Sequence, residues 1–274
     1  MPELAEFLPM LALILAIGAM AGVIAGLLGV GGGIVLVPAF FFAFEGLGYS
    51  TDGLMQICLA TSLATIVVTS VRSVMGHHKK GAVDWDILRA WGPGIAIGAA
   101  LGVIVASGLR NEVLMAIFGV LGLGVGLYMA LGRSEWRLGD QMPGAFGTIA
   151  SSPVLGFLSV LMGIGGGSFG VPMMTLFGVA IHRAVATAAG FGVIIAVPAV
   201  IGFLLTGSDV ANRPPYAVGQ VNIVAFVAVI AMTLITTPWG VKLAHAMDPK
   251  PLKRVFAVFI MIMALNMLRK ASGY

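Results

Sequence analysis

Two glycine runs are the residues best placed to hold a ligand. Gly29-Val30-Gly31-Gly32-Gly33 leads through Val37 to Pro38, and Gly163-Ile164-Gly165-Gly166-Gly167 leads through Val171 to Pro172 at the same spacing. Both runs lie inside apolar segments. A helix break in lipid leaves N–H and C=O groups without water, so it persists where the backbone is buried in protein or lines a polar cavity. A helix resuming after the break offers convergent N–H donors and a partial positive charge, which suits an anion. Gly31, Gly32, Gly33, Gly165, Gly166 and Gly167 have no side-chain chemistry, so they would act through backbone conformation or close approach. The plainer reading of these glycines is close helix packing. Having the run twice, each time with a proline at the same distance, favours a site.

Hydroxyls lie at comparable depth. Thr61, Ser62 and Thr65 fall in one apolar segment, Thr187 corresponds to Thr61 through Ala60-Thr61 and Ala186-Thr187, and Ser168 follows the second run directly. A lone transmembrane threonine usually bonds its own i−4 carbonyl, but the recurrence makes Thr61 and Thr187 candidate donors to a ligand. Arg72, near the basic end of its segment, either snorkels to the interface or draws anions inward. Gln56, Ser168, Asn222 and Asn266 are weaker candidates and read more readily as interhelical hydrogen bonders.

Other chemistries fail on the residues present. Neither run ends in Gly-Lys-Ser/Thr, and Ile34 stands where a third dinucleotide-motif glycine belongs. His77-His78-Lys79-Lys80 lacks a cysteine or nearby intramembrane carboxylate and reads as a solvated basic loop. No metal or other cofactor is expected. Cys58 is the sole cysteine, which rules out an internal disulfide. Asp and Glu fall in or beside loops, against a buried-carboxylate proton relay and a cation site. An intramembrane enzyme is disfavoured, because no Ser–His, paired-carboxylate or metal-ligand set occurs in the spans.

The elements carrying these residues are membrane helices. Hydrophobic residues make up 59% of the 274 and charged ones 9%, against about 25% charged in soluble domains. The apolar runs are 7–28, 34–44, 54–75, 91–107, 113–131, 145–163, 169–180, 184–205, 221–241 and 252–268, the second and seventh too short for ordinary spans. The opening residues lack the basic start of a cleavable signal, so the first run is expected to stay as a span. Glycines four apart, Gly18-Gly22-Gly26 and Gly94-Gly98-Gly102, read as packing stripes. The net charge of +4 reflects the positive-inside bias rather than nucleic acid.

The two halves repeat. Beyond the glycine runs, Gly81, Val83, Gly102, Phe118 and Met129 match Gly219, Val221, Gly240, Phe256 and Met267 at one constant offset. The expected fold is all-α and polytopic: 1–132 as the first repeat, 133–143 as a cytoplasmic linker and 144–274 as the second. Each repeat has four full spans and a short broken helix. If each short segment crosses, the halves are inverted and both termini face outward. Of the fifteen Lys and Arg, only Arg110, Arg213, Arg269 and Lys270 then lie outside, leaving eleven inside. If the short segments dip in and return, the split falls to nine against six. The positive-inside rule favours crossing. Gly33–Val37 run extended would cover roughly 16 Å, and a helix begun at Pro38 would add about 12 Å by Glu45. Pro172 would start the matching half-helix from the opposite side.

The glycine runs with Val-Pro, Ala60-Thr61-Ser62-Leu63, Gly81-Ala82-Val83-Asp84-Trp85 and the C-terminal helix with Phe256 together resemble the TauE/SafE family of membrane transporters. The resemblance covers essentially the whole chain. It implies transport of a small sulfur-containing anion, such as sulfite, sulfoacetate or a related organosulfonate, usually outward across a bacterial-type inner membrane. Ala188 stands where the first half has Ser62, so a symmetric serine pair is absent. The expected function is a secondary transporter working by alternating access, with lipids and the anion as partners and homo-oligomer formation left open. A passive anion channel and an importer of another oxyanion are the alternatives.

Overall fold

The computed structural model describes residues 4–28, 33–49, 52–132, 136–206, 213–246 and 249–273. Each of the ten apolar runs carries a helix: α1 Leu4–Leu28, α2 Gly33–Gly46, α3 Leu54–Lys79, α4 Trp85–Gly108, α5 Asn111–Leu131, α6 Ala145–Leu161, α7 Gly167–Leu176, α8 Ile181–Leu205, α9 Ile223–Ala246 and α10 Pro249–Ala271. A two-residue antiparallel ribbon, β1 Ala217–Val218 with β2 Val221–Asn222, precedes α9. Among the described residues α3, α4, α5, α8 and Ile223–Gly240 of α9 are long and apolar enough to cross a membrane. Large apolar side chains such as Ile104, Phe146 and Ile149 face outward, where lipid rather than water would cover them.

The short helices differ from expectation at their starts. Gly33–Val37 is helical, not extended, and α2 begins at Gly33 rather than at Pro38. α7 likewise begins at Gly167, with Pro172 inside it. Each proline is therefore the sixth residue of its helix. Before α7 the left-handed Gly163 permits the turn, and in both helices a proline inside the second turn removes one bond without ending the helix. The carbonyls left without that bond are those four residues earlier, Ile34 and Ser168. At fourteen and ten residues, α2 and α7 span about 21 and 15 Å, short of the roughly 30 Å hydrocarbon core.

The long helices pack through the expected glycine stripes. A Cβ on Gly18 would sit 2.9 Å from Val229 Cα, and one on Gly22 would sit 2.8 Å from Thr233 Cα, so α1 and α9 run side by side in the same direction. Gly94 faces Ser152, and Gly102 faces Phe157 and Val160, which makes α4 and α6 parallel as well. Gly119 meets Ala264 and Leu268 while Gly126 meets Ala257 and Met261, so α5 and α10 are antiparallel. α3 and α8 are also antiparallel. Thr187, early on α8, accepts the Asp84 N–H just beyond the end of α3. Phe203, late on α8, accepts the N–H of Gln220, two residues before the Asn222 that bonds Thr61 early on α3.

Hydrogen bonds identify the two ends of the bundle. At one end Lys270, near the end of α10, pairs with Glu45 at the end of α2 and lies 5.6 Å from the ring centroids of Phe41 and Phe42. There the Met55 N–H donates to Asn111 Oδ1 (3.0 Å), and Gln56 Nε2 donates to Leu109 O (2.6 Å). At the other end Arg183 Nη2 bonds Asp84 Oδ2 (3.0 Å), Trp85 Nε1–H donates to His78 Nδ1 (3.2 Å), and Leu138 N–H donates to Leu176 O (2.7 Å). The C-termini of α2 and α7 thus lie at opposite ends, and their glycine-led N-termini point inward.

Candidate substrate site

Gly33, at the start of α2, and the second glycine run meet around α3. A Cβ on Gly33 would lie 3.2 Å from Gly163 O and 2.7 Å from Ile66 Cδ1, and one on Gly165 would lie 3.2 Å from Ile66 Cγ2. Ser62, fully buried, donates through Oγ to Gly163 O at 2.7 Å and approaches Gly33 O at 3.4 Å. Its one proton is therefore engaged by the protein. Gly31 and Gly32 lie outside the described residues.

Glycine is needed for two separate reasons here. Gly163 has φ +62 and its Cβ would press within 2.7 Å of Val37 Cγ2 and 3.1 Å of Leu59 Cα, so both conformation and space require glycine. Gly166 is right-handed, with φ −63 and ψ −14. It is small because α8 passes close by: its Cβ would lie 2.6 Å from Ala188 O and 3.0 Å from Gly192 N. Close approach decides this position.

The chemistry comes from the backbone. Ile164 N–H donates to Ser159 O (2.9 Å), and the next bonded amide is Gly170, to Gly166 O (2.8 Å). Between them, no acceptor among the described residues takes the N–H of Gly165, Gly166, Gly167, Ser168 or Phe169. Gly165, Gly166 and Ser168 are buried, and Gly167 is half-buried. A buried N–H left unpaired costs about 1–3 kcal/mol, and consecutive N–H groups at a helix N-terminus are donors from which an anion can accept. Beside them the Ser159 Oγ is buried without a partner among the described residues. The cluster of Gly33, Ser62, Ile66, Gly163–Ser168 and Gly192 holds no charged side chain.

The remaining expected residues are elsewhere. Thr61 and Thr187 are fully buried but belong to separate contacts toward opposite ends. Thr61 Oγ1 accepts the backbone N–H of Asn222 at 2.9 Å, and Thr187 Oγ1 accepts that of Asp84 at 2.9 Å. Each bond ties one half of the chain to the other. Pro38 is buried within α2 and Pro172 is half-buried within α7, both past the first turn. Arg72 is exposed on α3, away from the cluster.

Sequence reasoning did not single out Asp84, and it gave Asn222 only a general bonding role. Asp84 Oδ1 caps α4 by accepting the Ile87 N–H (3.2 Å), and Asn222 Oδ1 does the same for Ala225 on α9 (2.8 Å). The signal was present: both follow the matched pairs Gly81/Val83 and Gly219/Val221 by one residue.

A sequence model described as the sulfite exporter TauE/SafE matches residues 14–267. The chain belongs to the TauE/SafE family. A probable membrane transporter protein of Haemophilus influenzae is 30% identical over 258 residues, covering 94% of this chain and 98% of the relative. One of Methanocaldococcus jannaschii is 26% identical, covering 96% and 97%. One of Bacillus subtilis is 28% identical over 182 residues, covering 60% and 67%. No solved structure matches the chain. This TauE/SafE protein is thus a multi-pass membrane transporter and not an enzyme.

Proposed function

We propose that the transporter is a secondary carrier of a small sulfur-containing oxyanion, sulfite, sulfoacetate or a related organosulfonate, bound where the two glycine breaks meet. The observation that carries this reading is the row of N–H groups from Gly165 to Phe169, at the start of α7, that find no acceptor among the described residues. The family name supports the sulfur-anion class. Substrate contacts come from the backbone of Gly165, Gly166, Gly167 and Ser168 and from the matching run at Gly31, Gly32 and Gly33. Ser62 holds the two breaks in register, and Thr61 and Thr187 brace the surrounding helices.

Residues 1–132 and 144–274 act as inverted repeats joined by a cytoplasmic linker at 133–143. Parallel pairing of α1 with α9 and of α4 with α6 supports this arrangement, because exchanging the halves maps one pair onto the other. The antiparallel pairs α3–α8 and α5–α10 map onto themselves. The placement of the C-termini of α2 and α7 at opposite ends also fits the eleven-to-four charge split. Rocking one half against the other then exposes the shared centre to each side in turn.

The test is transport by the purified full-length protein in proteoliposomes. Sulfite, sulfoacetate, taurine, thiosulfate, sulfate and chloride are compared. Saturable flux with counterflow for sulfite or a sulfonate is expected. Unsaturable flux without counterflow would make it a channel, and flux of chloride or sulfate alone would refute the substrate class.

A further inference from the structure

Asp84 and Asn222 occupy geometrically equivalent places. Three residues before each stands a left-handed glycine, Gly81 (φ +65) and Gly219 (φ +54), and immediately before each a buried valine, Val83 and Val221. Each caps a long helix with its side chain and donates its backbone N–H to a threonine of the opposite half.

The equivalence stops at charge. Arg183, one turn before Thr187 on α8, bonds Asp84 Oδ2 at 3.0 Å. The position one turn before Thr61 on α3 is Ile57, and the Asn222 amide instead donates to Pro215 O at 2.9 Å. Of these two equivalent contacts one is neutral and the other carries an ion pair; the ion pair at the neutral contact's end, Lys270 with Glu45, joins α10 to α2 instead.

That ion pair is open to water on the arginine's side. The Arg183 side chain is 55% exposed and that of Asp84 23%, so the guanidinium stands at the water's edge. Pairs at this exposure shift an equilibrium by about fivefold or less. A guanidinium that binds a carboxylate presents the same fork of donors to a sulfonate or sulfite. The neighbouring carboxylate Asp86 is engaged with Arg89 at 3.9 Å.

Building on the anion-carrier reading, we propose that Arg183 is the entry site for the oxyanion, and that Asp84 occupies it in the substrate's place until the substrate arrives. Displacing the Asp84 carboxylate removes the ionic part of the closure at that end. The Thr187 bond then closes the end alone, as the Thr61 bond does opposite. Ile57 stands at the equivalent place on the opposite end, and Lys270 there is paired with Glu45 between α10 and α2, so this capture position has no counterpart beside Thr61. By the positive-inside rule the capturing side is the cytoplasm, which fits export.

The experiment uses the full chain carrying Cys58→Ser and a reporter, Ser70→Cys, on α3 beside Gly192 and nearly buried. Inside-out vesicles are labelled with a membrane-impermeant maleimide, with and without sulfoacetate. Asp84→Asn keeps the cap and backbone bond, as Asn222 does, and should raise labelling without substrate about threefold. Sulfoacetate should accelerate labelling of the parent but not of Arg183→Gln, with Arg183→Lys partly restoring the response. Half-saturation should fall several-fold in Asp84→Asn and rise about tenfold in Arg183→Gln. Asp84→Ser, which also caps a helix, guards against a folding artefact. Parent-like labelling in Asp84→Asn and Asp84→Ser, or a parent-like sulfoacetate response in Arg183→Gln, would overturn the proposal. If no sulfur anion is transported by the parent, the carrier reading fails instead and capture at Arg183 falls with it, whereas the labelling of Asp84→Asn still reports the latch.

Discussion

Ser62 Oγ donates to the carbonyl of Gly163 at 2.7 Å, joining the third helix to the glycine break of the opposite half. Both partners are buried, and the Gly33 carbonyl lies 3.4 Å from the same oxygen. Ser62→Ala strands the Gly163 carbonyl and should cost about 1–3 kcal/mol. We expect lower thermal stability in detergent and weaker protection by substrate, because the breaks lose their register. Ser62→Ala with unchanged melting and unchanged binding would show that the bond does neither.

Thr61→Val and Thr187→Val each keep the side-chain shape but leave a backbone N–H, buried at Asn222 and part-buried at Asp84, without its acceptor. Each should destabilise the protein by about 1–3 kcal/mol, while Thr→Ser at either site should restore most of the loss. The two bonds share no residue, so the double mutant should show additive losses. Chemical or thermal unfolding of the purified variants measures this, and strong non-additivity would mean that the two ends are coupled.

The glycines sort into three classes with different expected outcomes. Gly163→Ala meets a left-handed backbone and a filled space. The strain alone is roughly 1–2 kcal/mol, and the overlap adds to it, so little folded protein should be recovered. Gly98→Ala would set a methyl 2.6 Å from the Pro153 carbonyl carbon and force α4 from α6. Gly124→Ala on α5 meets no atom within 4 Å and should leave stability unchanged or raise it by up to about 1 kcal/mol. Equal yields and melting temperatures for all three would contradict the packing described.

Charge placement makes a topological prediction. Single cysteines at Lys80 and Lys250 should be shielded from an impermeant reagent on intact cells, and those at Arg213 and Ser272 should react. Cys58 is buried and is replaced by serine in this assay. Reaction at 250 together with silence at 213 would reverse the orientation.

The positions of the ten helices were legible because apolar runs and polar breaks alternate along the chain. The packing stripes at Gly18 and Gly22 and at Gly94 to Gly102 followed from four-residue spacing alone. The starts of the short helices were not legible, since a proline fits both the first position and an interior one whose lost bond neighbouring protein can tolerate. Thr61 and Thr187 were found by recurrence, but their partners were not. A backbone N–H has no sequence signature, so the bonds from Asp84 and Asn222 emerge only when α4 and α9 are set beside α8 and α3. Gly166 shows the same limit: its type allowed either an unusual turn or a close approach, and only the passage of α8 behind it decides for the second.

The two threonine bonds have a consequence for the origin of such a chain. Residues 1–132 contain an acceptor, Thr61, together with a capped donor, Asp84, but each finds its partner in the other half. A first half expressed alone would carry both complementary parts and could join neither to itself. Two copies inserted in opposite orientations could close both bonds at once, Thr61 of each against the Asp84 amide of the other. On the inverted-repeat arrangement proposed above, each half is therefore complementary to a second copy of itself in the opposite orientation, and the two present halves differ at this contact by the charge of Asp84 against the neutral Asn222.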